Sequence, residues 1–169
     1  MATAIDADAA QRLRVVFGRL ARQLRATDAA GFAAELTPTR VAVLLNAVRN
    51  GPIRLADLAE QEGLNPTLLS RTVANLVEAG LVARTADAAD RRSAWVEPTD
   101  AGRRLAEQIR THRTRALREA LAGLDEEEQR AVEHALPALE RLAAQLAEGR
   151  AAARLPQERP AERLAEGRP

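Results

Sequence analysis

Residues 55–84 read LADLAEQEGLNPTLLSRTVANLVEAGLVAR. Leu55, Leu58 and Ala59 share one side of a short helix over 55–62, and Gly63-Leu64 breaks it. Asn65-Pro66 starts a second helix. The asparagine oxygen can accept an orphan amide of the first turn, and a proline at the first helical position gives up no hydrogen bond. This helix runs to about Ala79, where Gly80 stops it. Two helices joined by a short turn containing glycine form a helix-turn-helix. In the second helix, Leu69, Val73, Leu76 and Val77 are expected to pack inward, which leaves Pro66, Thr67, Ser70, Arg71, Ala74 and Asn75 on the other side.

Downstream the period changes. Leu81 to Thr85 has the pattern of a strand, Ala86 to Ser93 is polar, and Ala94 to Glu97 is a second strand, so a hairpin with a long tip follows the helix pair. Trp95 is expected to anchor this hairpin by packing. Thr99-Asp100 caps a helix whose stripe is Leu105, Ile109, His112, Ala116, Leu117 and Leu121. Asp125 opens a last helix with three glutamates at its positive end; its stripe is Val132, Ala135, Leu136, Leu139, Leu142, Ala143 and Leu146, with a kink expected at Pro137. Upstream, Thr37-Pro38 starts a helix with Val41, Leu44, Leu45 and Val48 inward, ended by Asn50-Gly51-Pro52, and Ile53-Arg54 is long enough only for a bridging strand. Residues 9–26 form an amphipathic helix on Leu13, Val16, Phe17, Leu20, Ala21 and Leu24.

The fold class expected is mainly α with a small β wing: a winged helix-turn-helix plus N- and C-terminal dimerisation helices. The divisions are 1–36 for the first helix and connection, 37–99 for the winged lobe, 100–149 for the C-terminal helices, and 150–169 for a disordered Arg/Glu/Ala/Pro tail. The pentapeptide LAEGR occurs at 146–150 and 164–168, which is too few copies for a repeat fold.

Composition narrows the function. The chain has 169 residues, 46% hydrophobic but only 2% aromatic, so its core is aliphatic and suits packed helices. With no cysteine and two histidines, thiol chemistry is excluded, and neither a transition-metal site nor a cofactor is expected. No glycine-rich phosphate loop or nucleophile–base set stands out, so no catalytic residue is assigned. No apolar run spans a membrane and no leader pattern begins the chain, so a cytoplasmic protein is expected. Net charge is only +1, and residues 37–99 hold seven arginines against seven acids. Nucleic-acid binding would therefore depend on where each arginine sits.

The order of elements, together with the 55–84 stretch and DRRSAWVEPTDAGRR at 90–104, resembles the multiple-antibiotic-resistance regulator (MarR) family over residues 13–146. Asp90-Arg91-Arg92 follows the family's Asp-x-Arg spacing, and Val96, Thr99 and Gly102 stand at the expected offsets. The resemblance implies a homodimeric, ligand-responsive DNA-binding repressor that acts on a pseudo-palindromic operator. Physical chemistry agrees on several residues. A helix fits the major groove, where Arg71 can donate to guanine or phosphate, Asn75 can pair with adenine, and Pro66, Thr67 and Ser70 can meet phosphates or base edges. Leu68 departs from the family, where a small hydroxyl residue is common; it belongs either against a thymine methyl or in the core. The resemblance makes Arg92 a minor-groove probe and Asp90 the residue that orients it, while Arg84 and Arg91 are phosphate contacts. The long apolar stripes of the first and last helices suit a two-fold dimer with reading heads about one DNA turn apart. The resemblance also implies a small-molecule effector between dimer region and lobe, bordered by Phe17, Leu20, Leu44, Val48, His112 and Arg113. The alternative is a winged-helix module that binds protein rather than specific DNA.

Overall fold

The structure, a computed structural model, describes residues 6–29, 36–87 and 94–152. The chain divides into two compact units, Met1–Ala120 and Leu121–Pro169. In the first unit α1 (Ala7–Ala29) is followed by α2 (Pro38–Asn50), β1 (Ile53–Arg54), α3 (Leu55–Glu62), α4 (Pro66–Glu78), β2 (Val82–Ala86), β3 (Ala94–Pro98) and α5 (Asp100–Leu121). The second unit is α6 (Glu126–Ala152) with the turn before it.

The helix starts follow from capping chemistry. The Arg40 amide donates to Thr37 Oγ1 at 3.4 Å, and Asp6, not singled out by the sequence pattern, accepts from the Ala9 amide at 2.7 Å. Pro38 and Pro66 each stand in the first turn behind their caps. Gly63 and Gly80 end α3 and α4 with φ of 66° and 69°, a region that residues bearing a Cβ rarely adopt.

The three strands make an antiparallel sheet in the order β1-β3-β2. β3 pairs Val96 with both Ile53 and Arg84, and Trp95 with both Arg54 and Thr85. The strands of the hairpin lie one residue further on than the periodicity predicts at its first strand, and one residue longer at its second. α2, α3 and α4 bury Val43, Leu44, Ala47, Leu58, Leu69, Val73 and Leu76 against Ile53, Val82 and Val96 of the sheet. A smaller cluster joins Val41 of α2 to Ile109 of α5, flanked by Leu36, Leu45 and Leu105. α2 and α3 are also clasped by polar groups. Buried Asn46 donates to Glu62 Oε1 at 2.6 Å, and Asn50 donates to Asn46 Oδ1 at 2.9 Å and to Gln61 Oε1 at 3.2 Å.

A tight joint ties the end of α4 to the start of α5. The Thr99 hydroxyl donates to the Gly80 carbonyl at 2.7 Å and accepts from the Gly102 amide at 3.1 Å, while the Thr99 amide donates to the Leu81 carbonyl at 3.1 Å. A Cβ on Gly102 would run into the Leu81 carbonyl oxygen. The glycine therefore permits backbone to pass directly over the first turn of α5.

The outer helices depart from their expected burial. In α1, Leu13, Ala21 and Leu24 are half-buried, but Val16, Phe17 and Leu20 are exposed. In α5, Gly102, Ala106 and Ile109 are buried and Leu117 is exposed. In α6 only Ala135, Leu139 and Leu142 of the stripe are half-buried; Val132, Leu136 and Leu146 are exposed. α6 starts with a reciprocal box, the Glu128 amide donating to Asp125 Oδ1 at 2.8 Å and the Asp125 amide to Glu128 Oε2 at 3.1 Å. The helix continues through Pro137 to Ala152, three residues past the expected boundary. The rest of the predicted tail, 153–169, lies outside the described residues.

Gly102→Ala is expected to lower stability by about 1–3 kcal/mol, because a backbone contact must give way. Gly149→Ala meets nothing within 4 Å in α6 and should leave stability unchanged or slightly raised. Urea denaturation followed by circular dichroism compares the two; equal midpoints would contradict the assignment of a forced close approach at Gly102.

Candidate nucleic-acid interface

α4 presents two chemically different sides. Leu69, Val73 and Leu76 have no exposed surface, and Thr72 is buried beside them, its hydroxyl donating to the Leu68 carbonyl at 2.9 Å. Pro66, Thr67, Leu68, Arg71 and Ala74 are exposed, and Ser70 and Asn75 are half-buried at the margin. Two assignments change. Val77, predicted inward, is 40% exposed, since it lies about 90° around the helix from the middle of the buried set, and Thr72 is buried at the opposite margin of that set. Leu68 belongs to the exposed side and not to the core.

The helix start is built for a negatively charged partner. Asn65, extended at φ −69° and ψ 152°, accepts from the Leu68 amide at 2.8 Å, and no acidic residue occupies the first turn. The positive end of the helix dipole is thus not neutralised by its own side chains, which favours phosphate there. Arg71 is the one cationic side chain in α4, and it points away from the core.

The wing rises from the same core. Val82 is buried at its foot, and Ala83, Arg84 and Thr85 are exposed along β2. Asp90, Arg91 and Arg92, the predicted tip residues, lie outside the described residues. At the base stands a cluster that sequence patterns do not disclose. Arg54 of β1 lies 5.1 Å from the centroid of the Trp95 ring and 3.4 Å from Asp87 Oδ2. The Trp95 indole N–H donates to the same Asp87 oxygen at 3.0 Å. Asp87 is buried at 9% exposure, so both contacts are partly shielded from water. Trp95 does anchor the hairpin, through a hydrogen bond and a cation–π contact as well as by packing. Only the three-stranded register reveals Arg54 and Asp87, because they are far apart in sequence and adjacent in space.

The residues predicted to border an effector space stand in different environments. Phe17 and Leu20 are exposed on α1, whereas Leu44 sits fully buried at the centre of the core and borders no open space. Val48 packs on the same core, half-buried. His112 and Arg113 are half-buried on α5, where His112 borders an open hollow with Arg104, Glu107, Gln108, Thr111 and Arg115. Among the described residues no group of three His, Cys, Asp or Glu is placed to hold a metal ion, and no helix is long and apolar enough to cross a membrane.

A model of the MarR family matches residues 36–94, from two residues before α2 through the first residue of β3. The HTH-type transcriptional regulator Mb0904 of Mycobacterium bovis is 28% identical over 124 residues, covering 73% of this chain and 85% of that protein. Among solved structures, RV1404 from Mycobacterium tuberculosis superposes with a TM-score of 0.72 at 25% identity, over 84% of this chain and 97% of its own. The crystal structure of MarR superposes with a TM-score of 0.68 at 23% identity, over 79% of this chain and 98% of its own.

Asp87→Ala should cost about 1–2 kcal/mol, as it removes an ion pair half-exposed on the arginine side and leaves the indole N–H without this acceptor. Asp87→Asn keeps an acceptor for Trp95 and should cost less. Urea titration monitored by the fluorescence of the single tryptophan tests the order; a neutral Asp87→Ala would mean that the cluster does not brace the wing.

Proposed function

We propose that the chain, which matches a MarR family model over residues 36–94, is a dimeric, sequence-specific DNA-binding repressor that lays α4 in the major groove of each operator half-site. The observation that carries this is the sidedness of α4. Its inner face is sealed in the core, and its outer face offers Thr67, Ser70, Arg71 and Asn75 beside an unneutralised helix start. Arg71 is assigned to guanine or to a phosphate, and Asn75 to adenine. Arg84, from the wing strand, takes a neighbouring phosphate, and the wing tip with Asp90, Arg91 and Arg92 takes the adjacent minor groove.

A second copy of the chain supplies the two-fold partner. Val15, Val16, Phe17 and Leu20 on α1, and separately Val132, Leu136 and Leu146 on α6, are apolar and exposed in the single chain. Covering such side chains is a strong driving force for association. Two-fold pairing spaces the two α4 helices for a pseudo-palindromic site, and occupation of that site blocks transcription. The protein acts where the chromosome is, in the cytoplasm, and a small-molecule effector would act by changing the spacing of the paired reading heads. Balanced charge across residues 37–99 favours a second reading, a protein-docking winged helix, for which binding would be indifferent to DNA sequence.

Fluorescence anisotropy with duplexes from the DNA next to the chain's own coding sequence tests the proposal. Wild type should bind one duplex over its scrambled counterpart and weaken steeply with salt. Arg71→Ala should lose about tenfold or more while keeping its helical spectrum. Equal binding of both duplexes, or an unaffected Arg71→Ala, would contradict the proposal. In sedimentation equilibrium, wild type should have the mass of two chains, and the double change Phe17→Glu with Leu20→Glu should give single chains with weakened DNA binding. A wild-type monomer would contradict the two-fold arrangement.

A further inference from the structure

Two large apolar side chains are exposed on α4, Leu68 and Val77, and of these only Leu68 lies on the side that carries Arg71 and Asn75. Leu68 is 42% exposed, while Leu69 beside it has no exposed surface. Its backbone is fixed on both sides, by its amide on Asn65 Oδ1 at 2.8 Å and its carbonyl on Thr72 Oγ1 at 2.9 Å. The direction of the side chain is therefore set by the capped first turn. Residues three and four apart are neighbours on a helix surface, so Leu68, Arg71 and Asn75 form one row. Water gains nothing from an exposed leucine, and a row of donors has no use for one. The apolar group that a base pair displays in the major groove is the C5-methyl of thymine.

We infer that Leu68 is a specificity-determining residue that packs on a thymine methyl in each half-site, next to the group met by Arg71; this rests on the reading of α4 as the DNA-facing helix. Three residues of helix rise about 4.5 Å, and successive bases of one strand lie about 3.4 Å apart. The thymine is therefore one or two base pairs from the Arg71 contact. Burying one methyl is worth about a fourfold change in affinity. Removing it from both half-sites should cost about sixteenfold, since distant sites add.

The test begins by selecting bound sequences from a random duplex pool with the full wild-type chain. Each thymine of the selected site is then replaced by deoxyuridine, which removes only the methyl, and binding is measured by anisotropy. Wild type should weaken about fourfold at one position per half-site. Leu68→Ala, an exposed change that leaves the helix intact by circular dichroism, should bind thymine and deoxyuridine equally at that position. If wild type selects a sequence yet ignores every thymine-to-deoxyuridine change, the inference is overturned and the regulator reading stands. Retention of the same methyl preference by Leu68→Ala also overturns it, because another group then senses the methyl. Failure to select any sequence would remove both the regulator reading and this inference.

Discussion

Leu69, Thr72, Val73 and Leu76 seal one side of α4 into the core, and everything the other side can do follows from that burial. A thirteen-residue helix with a proline start is only marginally stable by itself in water. It is stable here because its aliphatic face is removed from solvent against α2, α3 and the sheet; each leucine so buried contributes about 1.5–3 kcal/mol. The outward residues are thereby fixed in angle without contributing to the core. Their chemistry is free to vary with the sequence that must be read, and core substitutions would act on reading only through the position of the helix.

The wing is referenced to the same base. β3 is the central strand, paired on one side with β1, which leads into α3, and on the other with β2, which leaves α4. Thr99 then bonds back to Gly80 and Leu81 at the end of α4, and Gly102 lets that backbone pass over α5. Arg54 of β1, Trp95 of β3 and Asp87, just past the end of β2, brace the hairpin. Helix and hairpin thus share one support within the first unit, so a single docking of that unit can present both to adjacent grooves.

Local signals in the sequence were sufficient for the order and type of the elements. Thr37-Pro38, Asn65-Pro66 and Asp125 are short-range devices whose partners lie three residues away, and each cap forms as its residue type requires. Period-3.6 and period-2 patterns place the helices and strands to within a few residues. What periodicity misses is set by tertiary register. Val77 has an apolar side chain but the wrong angle, and Leu44 belongs to the core where an effector border was expected. The Asn46–Glu62 clasp and the Arg54–Asp87–Trp95 brace join residues whose spacing carries no local rule. The apolar residues of α1 and α6 look like core in a one-dimensional pattern, yet many are exposed in the single chain.

The absence of cysteine from the chain permits a direct test of where α4 goes. A single Thr67→Cys, at an exposed position of its first turn, can carry a tethered iron–EDTA group that cuts nearby DNA backbone. If α4 lies in the major groove of two half-sites, cleavage will fall in two symmetric clusters flanking that groove, about ten base pairs apart. Cleavage no different from that of the untethered reagent, or spread evenly along the duplex, would contradict the account.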